Sequence, residues 1–238
     1  MAVCMIAVAL VAGMGCHDSG PSDPSGGTHV DIGTNRPDTG VAFGDSISHG
    51  RDSLLTRSAL NDAGPDEPGY RVRLEELFAA DGRVLHMIED GEPGSESSDG
   101  VARIQRAIDT RPAFLVLLYG TNDAFMGRPA AEVLANLNVI AEECRKNRTI
   151  VVLCTLPPVC GREEQQARIA QYNPLIRSLA RELRDRWEGV FLADLDVAFQ
   201  TQSVEACALI NSHGIHPTRA GYELIAETVY DQLRDVTW

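Results

Sequence analysis

The feature that most constrains this chain is a series of short apolar runs alternating with stretches of helical period. Five runs read as strands: Val41–Phe43, Val84–Ile88, Ala113–Leu118, Thr149–Thr155 and Val190–Ala193. The third and fourth, AFLVLL and TIVVLCT, are nearly continuous in apolar side chains, as strands covered on both faces are. Between the runs lie Tyr70–Ala80, with Val72, Leu74, Leu77 and Phe78 at roughly helical spacing, and Ser98–Thr110, with Val101, Ile104, Ala107 and Ile108 on one face. Pro129–Lys146, Glu163–Trp187 and Pro217–Leu233 complete the set. Pro129 and Pro217 suit first helical turns, and Pro174 predicts a kink or break near Asn173. Strands alternating with helices in this way predict an α/β fold: a five-stranded parallel sheet with helices on both faces. Such sheets bind ligands outside the carboxyl ends of their strands.

The residues at those ends carry chemistry. The first run leads into Gly44-Asp45-Ser46, the second into DGEPGSESSDG, and the third into Tyr119-Gly120-Thr121-Asn122-Asp123; beyond the fifth comes His213-Gly214-Ile215-His216-Pro217. Gly-Asp-Ser alone is equally a strand-to-helix turn with Ser46 as an N-cap. A serine, a glycine N–H, an asparagine amide and a histidine on one rim are the parts of an acyl-transfer site. In that reading Ser46 is the nucleophile and His216 the base. The Ser46 and Gly94 backbone N–H groups and the Asn122 side-chain amide form the oxyanion hole. Gly94 suits this task because, lacking a Cβ, it lets a substrate oxygen approach its N–H. His49 is expected on the outer face of its turn, and Asp45 and Asp123 in short-range loop hydrogen bonds. A metal pair at His213 and His216 is not supported, because no third ligand follows at suitable spacing.

These blocks resemble the SGNH hydrolase superfamily, the GDSL esterases and lipases. Phe43-Gly44-Asp45-Ser46, Gly94 within GEPGSES, Gly120-Thr121-Asn122-Asp123 and Gly214-Ile215-His216-Pro217 stand in that family's order. The resemblance implies a flavodoxin-like three-layer sandwich over residues 39–238. It also implies serine esterase chemistry with neither metal nor other cofactor, and a shallow, adaptable site. One position departs: the family usually carries Asp three residues before the histidine, where this chain has His213. A histidine cannot supply the carboxylate that fixes the tautomer of a catalytic imidazole. Three arrangements are open. A backbone carbonyl orients His216; a carboxylate from elsewhere reaches it, with Glu205, Asp194 and Asp196 as candidates; or the domain is a weak or non-catalytic binder. Retention of the serine, the histidine and all three oxyanion donors favours the first two.

The N-terminal part reads as processing and tether. Residues 1–16 are uncharged and mostly apolar, too short to span a bilayer and suited to a signal peptide. Gly13-Met14-Gly15-Cys16 resembles a lipoprotein processing site, with Cys16 the lipidated residue. Residues 17–38, rich in Gly, Pro, Ser and Asp, are expected to be a flexible linker. Export, secreted or held to a membrane through Cys16, permits disulfides. Cys160 and Cys207, each in a loop, are the expected pair, while Cys144 and Cys154 read as buried thiols.

A formal net charge of −13 argues against nucleic acid as a partner. It leaves a small-molecule or glycan ester as substrate, and oligomeric state is not legible. The expected activity is hydrolysis of short-chain acyl esters or O-acetylated glycans. A lysophospholipase, thioesterase or acyltransferase, or a binding lipoprotein of the same fold, are the alternatives.

His216 precedes the start of the last helix, whose positive end favours the neutral imidazole that a base requires. Without the usual Asp, the protonated form is costlier still. Activity is therefore expected to rise towards mildly alkaline pH, and a pH–rate profile peaking below pH 6 would contradict this.

Overall fold

The computed structural model describes residues 27–50 and 69–238; Cys16, the signal segment and the first part of the linker lie outside them. The central sheet has five parallel strands: β2 (Arg36–Gly44), β3 (His86–Gly91), β4 (Pro112–Leu118), β5 (Ile150–Cys154) and β6 (Val190–Ala193). Their spatial order is β3-β2-β4-β5-β6. Helices α2 (Tyr70–Ala80) and α8 (Arg219–Leu233) pack together, and α3 (Ser97–Ile108), α5 (Ala130–Lys146) and α6 (Glu163–Arg186) form a second group. Both faces of the inner strands are thereby covered. All of β4 and β5 is buried, which accounts for their unbroken apolar sequences. The order is that of a flavodoxin-like sheet. The chain reverses its winding direction beside β2, so the ends of β2 and β4 flank the crevice where such sheets bind ligands.

Several boundaries differ from the sequence expectation, each for a physical reason. The linker expected over 17–38 does not reach 38. Strand β1 (Thr28–His29) pairs in parallel with the C-terminal β7 (Val236–Thr237), Val30 and Ile32 enter the core, and β2 begins at Arg36. Apolar residues here are few, but two of them find buried positions, and that is enough to fix the segment. Strand β3 starts two residues later than read, because its pairing with β2 begins at His86, opposite Thr39, although Leu85 before it is already buried.

Helix α6 runs through Pro174 without ending. Ile169, Tyr172, Ile176, Leu179, Ala180 and Leu183 bury one face on both sides of the proline, and that packing outweighs one lost backbone bond. The Asn173 side chain also accepts from the Leu156 N–H at 2.8 Å and donates to the Leu156 carbonyl at 3.1 Å, tying the helix to the end of β5. Pro217 is not in the last helix. It forms an antiparallel bridge with Ile210, and Thr218 is the N-cap, its hydroxyl accepting from the Gly221 N–H.

Candidate active site

Ser46 is the first residue of α1 (Ser46–His49), a single turn directly after β2. As the first residue of a turn, its own N–H has no intrahelical acceptor. Asp45 caps the turn, its carboxylate accepting from the Ile47 N–H at 2.9 Å. The Ser46 hydroxyl lies 2.8 Å from His216 Nε2, and both residues are buried. That contact joins positions 170 apart in the chain, each at the carboxyl rim of the sheet. With the imidazole neutral and protonated on Nδ1, Ser46 Oγ–H donates to Nε2, the geometry of a hydroxyl poised to lose its proton.

The loop that carries His216 is fastened at several points. The Asn211 N–H donates to the His216 carbonyl at 2.7 Å, and the Thr218 N–H to the Leu209 carbonyl at 2.8 Å. The Cys160 N–H donates to the Gly214 carbonyl at 2.8 Å. Gly214 has φ +75°, and a Cβ there would come within 2.0 Å of the Cys160 carbonyl oxygen, so no other residue fits. Cys160 is also disulfide-bonded to Cys207, one turn before the loop, while Cys144 and Cys154 are buried free thiols. Burial pushes both of these thiols above the ordinary range, consistent with inert packing groups.

On the other side of the serine, residues 92–95 form a turn closed by the Ser95 N–H to the Glu92 carbonyl at 3.1 Å. Gly94 occupies it at φ +82° with an exposed backbone. A Cβ there would meet no atom within 4 Å, so glycine is required by the backbone conformation rather than by crowding. Asn122, the second residue of α4 (Thr121–Met126), reaches back to this turn: its Nδ2 donates to the Ser95 carbonyl at 2.8 Å. Its remaining hydrogen has only a long contact, 3.5 Å, to Asp45. The Ser46, Gly94 and Asn122 segments are therefore linked through Ser95, Asn122 and Asp45.

Asp45 and Asp123 are both buried here. Burial pushes the Asp45 carboxyl up to about 7, and the nearby Asp123 charge adds to the shift against the opposing Ile47 hydrogen bond. Burial also raises Asp123, opposed by its bonds from the Ser97 N–H at 2.9 Å and the Ser97 hydroxyl at 2.6 Å. Asp45 keeps the local bond expected of it, whereas Asp123 does not: its partner lies 26 residues away and locks α3 to α4. His49 binds Glu89 at 2.8 Å, away from the serine.

None of the three carboxylates considered for His216 bonds to it. Asp194 and Asp196 are both taken by Arg177, with contacts of 2.7 and 2.8 Å to Asp194 and 2.6 Å to Asp196. Burial acts to raise the Asp194 carboxyl, but the Arg177 and Thr155 hydrogen bonds outweigh it and hold it below the usual range. Glu205 is exposed at the start of the short turn Ala206–Leu209. His213 lies half-buried in the turn Asn211–Gly214.

Arg103, Tyr119 and Arg177 were not singled out from the sequence, although all three reach the rim. Helical spacing locates apolar faces; it carries no signal for a long polar side chain folded under a loop.

The chain belongs to the GDSL-like lipase/acylhydrolase family, whose pattern matches residues 42–224. It is an enzyme of the esterase and acylhydrolase type. It is similar to Esterase TesA of Pseudomonas aeruginosa, 24% identical over 169 residues that make up 70% of this chain and 78% of that protein. The TesA crystal structure superposes with a TM-score of 0.63, covering 82% of this chain and 98% of TesA. A lipase/acylhydrolase from Enterococcus faecalis gives 0.66 at 25% identity, covering 82% and 95%. Axe2, an acetylxylan esterase from Geobacillus stearothermophilus, gives 0.65 at 19% identity, covering 83% and 94%.

The disulfide spans 47 residues and anchors the short turn Ala206–Leu209 that precedes the histidine loop. Replacing both Cys160 and Cys207 by serine should lower unfolding free energy by about 2–4 kcal/mol in chemical denaturation. Because His216 is held through the same loop, kcat should fall more than KM rises. A double variant with wild-type kcat would show that the other bonds alone position His216.

Proposed function

We propose that the protein is a carboxylic-ester hydrolase that forms an acyl-enzyme on Ser46 and acts on short-chain acyl esters or O-acetylated glycans. The observation that carries the reading is the 2.8 Å contact between Ser46 Oγ and His216 Nε2 beside the Gly94 turn and Asn122. Ser46 Oγ attacks the ester carbonyl as its proton passes to His216 Nε2. The carbonyl oxygen becomes an oxyanion, met by the Ser46 and Gly94 N–H groups and the second Asn122 amide hydrogen. Collapse of the tetrahedral species expels the alcohol, which takes the proton from His216. Water then enters by the reverse sequence and releases the acid.

Two lines support the substrate class. Acetylxylan esterases share this fold, among them AlAXEase and Axe2. The acidic balance, with a net charge of −13, suits neutral esters better than anionic lipid surfaces. Export is part of the same proposal. The apolar segment before Cys16 and the Cys160–Cys207 disulfide support it, and lipidation of Cys16 belongs to the same proposal. Among the described residues no helix is long and apolar enough to cross a membrane.

A panel of p-nitrophenyl esters tests the proposal. Acetate and butyrate should be turned over faster than octanoate, and Ser46→Ala should lose at least ~10³-fold in kcat/KM while remaining folded. Turnover that survives Ser46→Ala would overturn the assignment of the nucleophile. A preference for octanoate would overturn the substrate class.

A further inference from the structure

Beneath the Gly94 turn lies a polar cluster that the mechanism above does not use. Arg103 enters it from α3, with little of its side chain exposed. Its Nη2 donates to the Gly44 carbonyl at 3.2 Å and the Asp90 carbonyl at 3.4 Å, and its Nη1 lies 3.3 Å from Asp90 Oδ1 and 3.0 Å from Glu92 Oε2. Nη2 also donates to the phenol oxygen of Tyr119. The guanidinium sits 5.3 Å from the centre of the Phe43 ring, against which the Tyr119 ring packs edge-on at 5.6 Å. One cation therefore touches the carboxyl ends of β2, β3 and β4, the strands that lead into Ser46, Gly94 and Asn122.

Tyr119 is the last residue before Gly120-Thr121-Asn122 and is buried. Its hydroxyl is 3.3 Å from Ser95 Oγ, which in turn lies 2.6 Å from the Glu92 carbonyl. A serine hydroxyl has one proton. It goes to the carbonyl at the shorter distance, so the tyrosine donates to Ser95 Oγ while accepting from Arg103. The donors then run one way, from Arg103 through Tyr119 and Ser95 to Glu92, and each bond polarises the next. Ser95 is also the residue whose carbonyl receives Asn122 Nδ2 at 2.8 Å. The chain thus ends on both sides of the turn that holds Gly94.

We propose that Tyr119, fixed by Arg103, is a positioning residue for the oxyanion hole, setting the Gly94 turn and the Asn122 amide through Ser95. It touches no reacting atom. Its effect falls on the transition state, because the donors it places meet full negative charge only there. The inference rests on the esterase reading of Ser46.

Tyr119→Phe keeps the ring packing and removes only the hydroxyl. On p-nitrophenyl acetate it should lower kcat about tenfold, part of the ~10²–10³ that loss of a whole oxyanion donor costs, with KM within twofold. Ser95→Ala should have a similar effect, and the double variant should lose no more than the larger single loss. Binding of a boronic acid transition-state analogue should weaken by the same factor as kcat/KM. The Asn122 side-chain amide signals in ¹⁵N NMR should shift in Tyr119→Phe, a readout that needs no turnover. Wild-type kcat in Tyr119→Phe, a loss confined to KM, additive single losses, or unmoved Asn122 signals would each overturn the inference. Absence of Ser46-dependent turnover in the wild type would instead overturn the esterase reading, and the Asn122 signals would still decide this one.

Discussion

The contact between Ser46 Oγ and His216 Nε2 is the interaction on which the rest of the structure converges. Ser46 is set by the end of β2, whose paired strands on both sides leave it no freedom of register. His216 belongs to a loop outside the sheet and needs other restraints. These are the antiparallel bridge of Ile210 with Pro217, the bond from Cys160 to Gly214, the disulfide to Cys207 and the capped start of α8. A hydroxyl–imidazole pair loses much of its use when displaced by about 1 Å. The number of restraints on one short loop is what that tolerance demands.

The opposite side of the serine is governed by burial. Asp45 and Asp123 are both withdrawn from water and raised in pKa, so their charges are costly where they stand. Each is held by backbone or hydroxyl donors rather than by a cation. The cations lie one layer away: Arg103 beneath the strand ends and Arg177 beside β6. Among the described residues, the groups that face Ser46 from this side are uncharged N–H and amide donors, which can stabilise a developing oxyanion.

Much of this was legible in the sequence, and for identifiable reasons. Strands buried on both faces have unbroken apolar sequences, so Ala113–Leu118 and Thr149–Thr155 declared the sheet. Ser46, Gly94 and Asn122 stood just past strand ends, where a parallel sheet gathers ligands, and His216 stood in the segment beyond the last strand of the sheet. What stayed hidden depends on distance in the chain. Asp123 finds Ser97 across 26 residues, and Arg177 claims Asp194 and Asp196 across a strand. Those two aspartates were candidates to reach His216 from elsewhere in the chain, but Arg177 binds both, and a bidentate guanidinium is a strong carboxylate partner. Strands β1 and β7, two residues each, are too short to show a period. Pro174 misled because packing on both sides of it decides the course of α6.

The central claim is that Ser46 is a nucleophile activated by His216. A fluorophosphonate probe, with the adduct located by peptide mass spectrometry, tests it most directly. A single serine, Ser46, should be labelled, and labelling should slow by at least ~10²-fold in His216→Ala, the contribution expected of a general base. An unlabelled Ser46 in the folded protein, or equal labelling rates with and without His216, would contradict it.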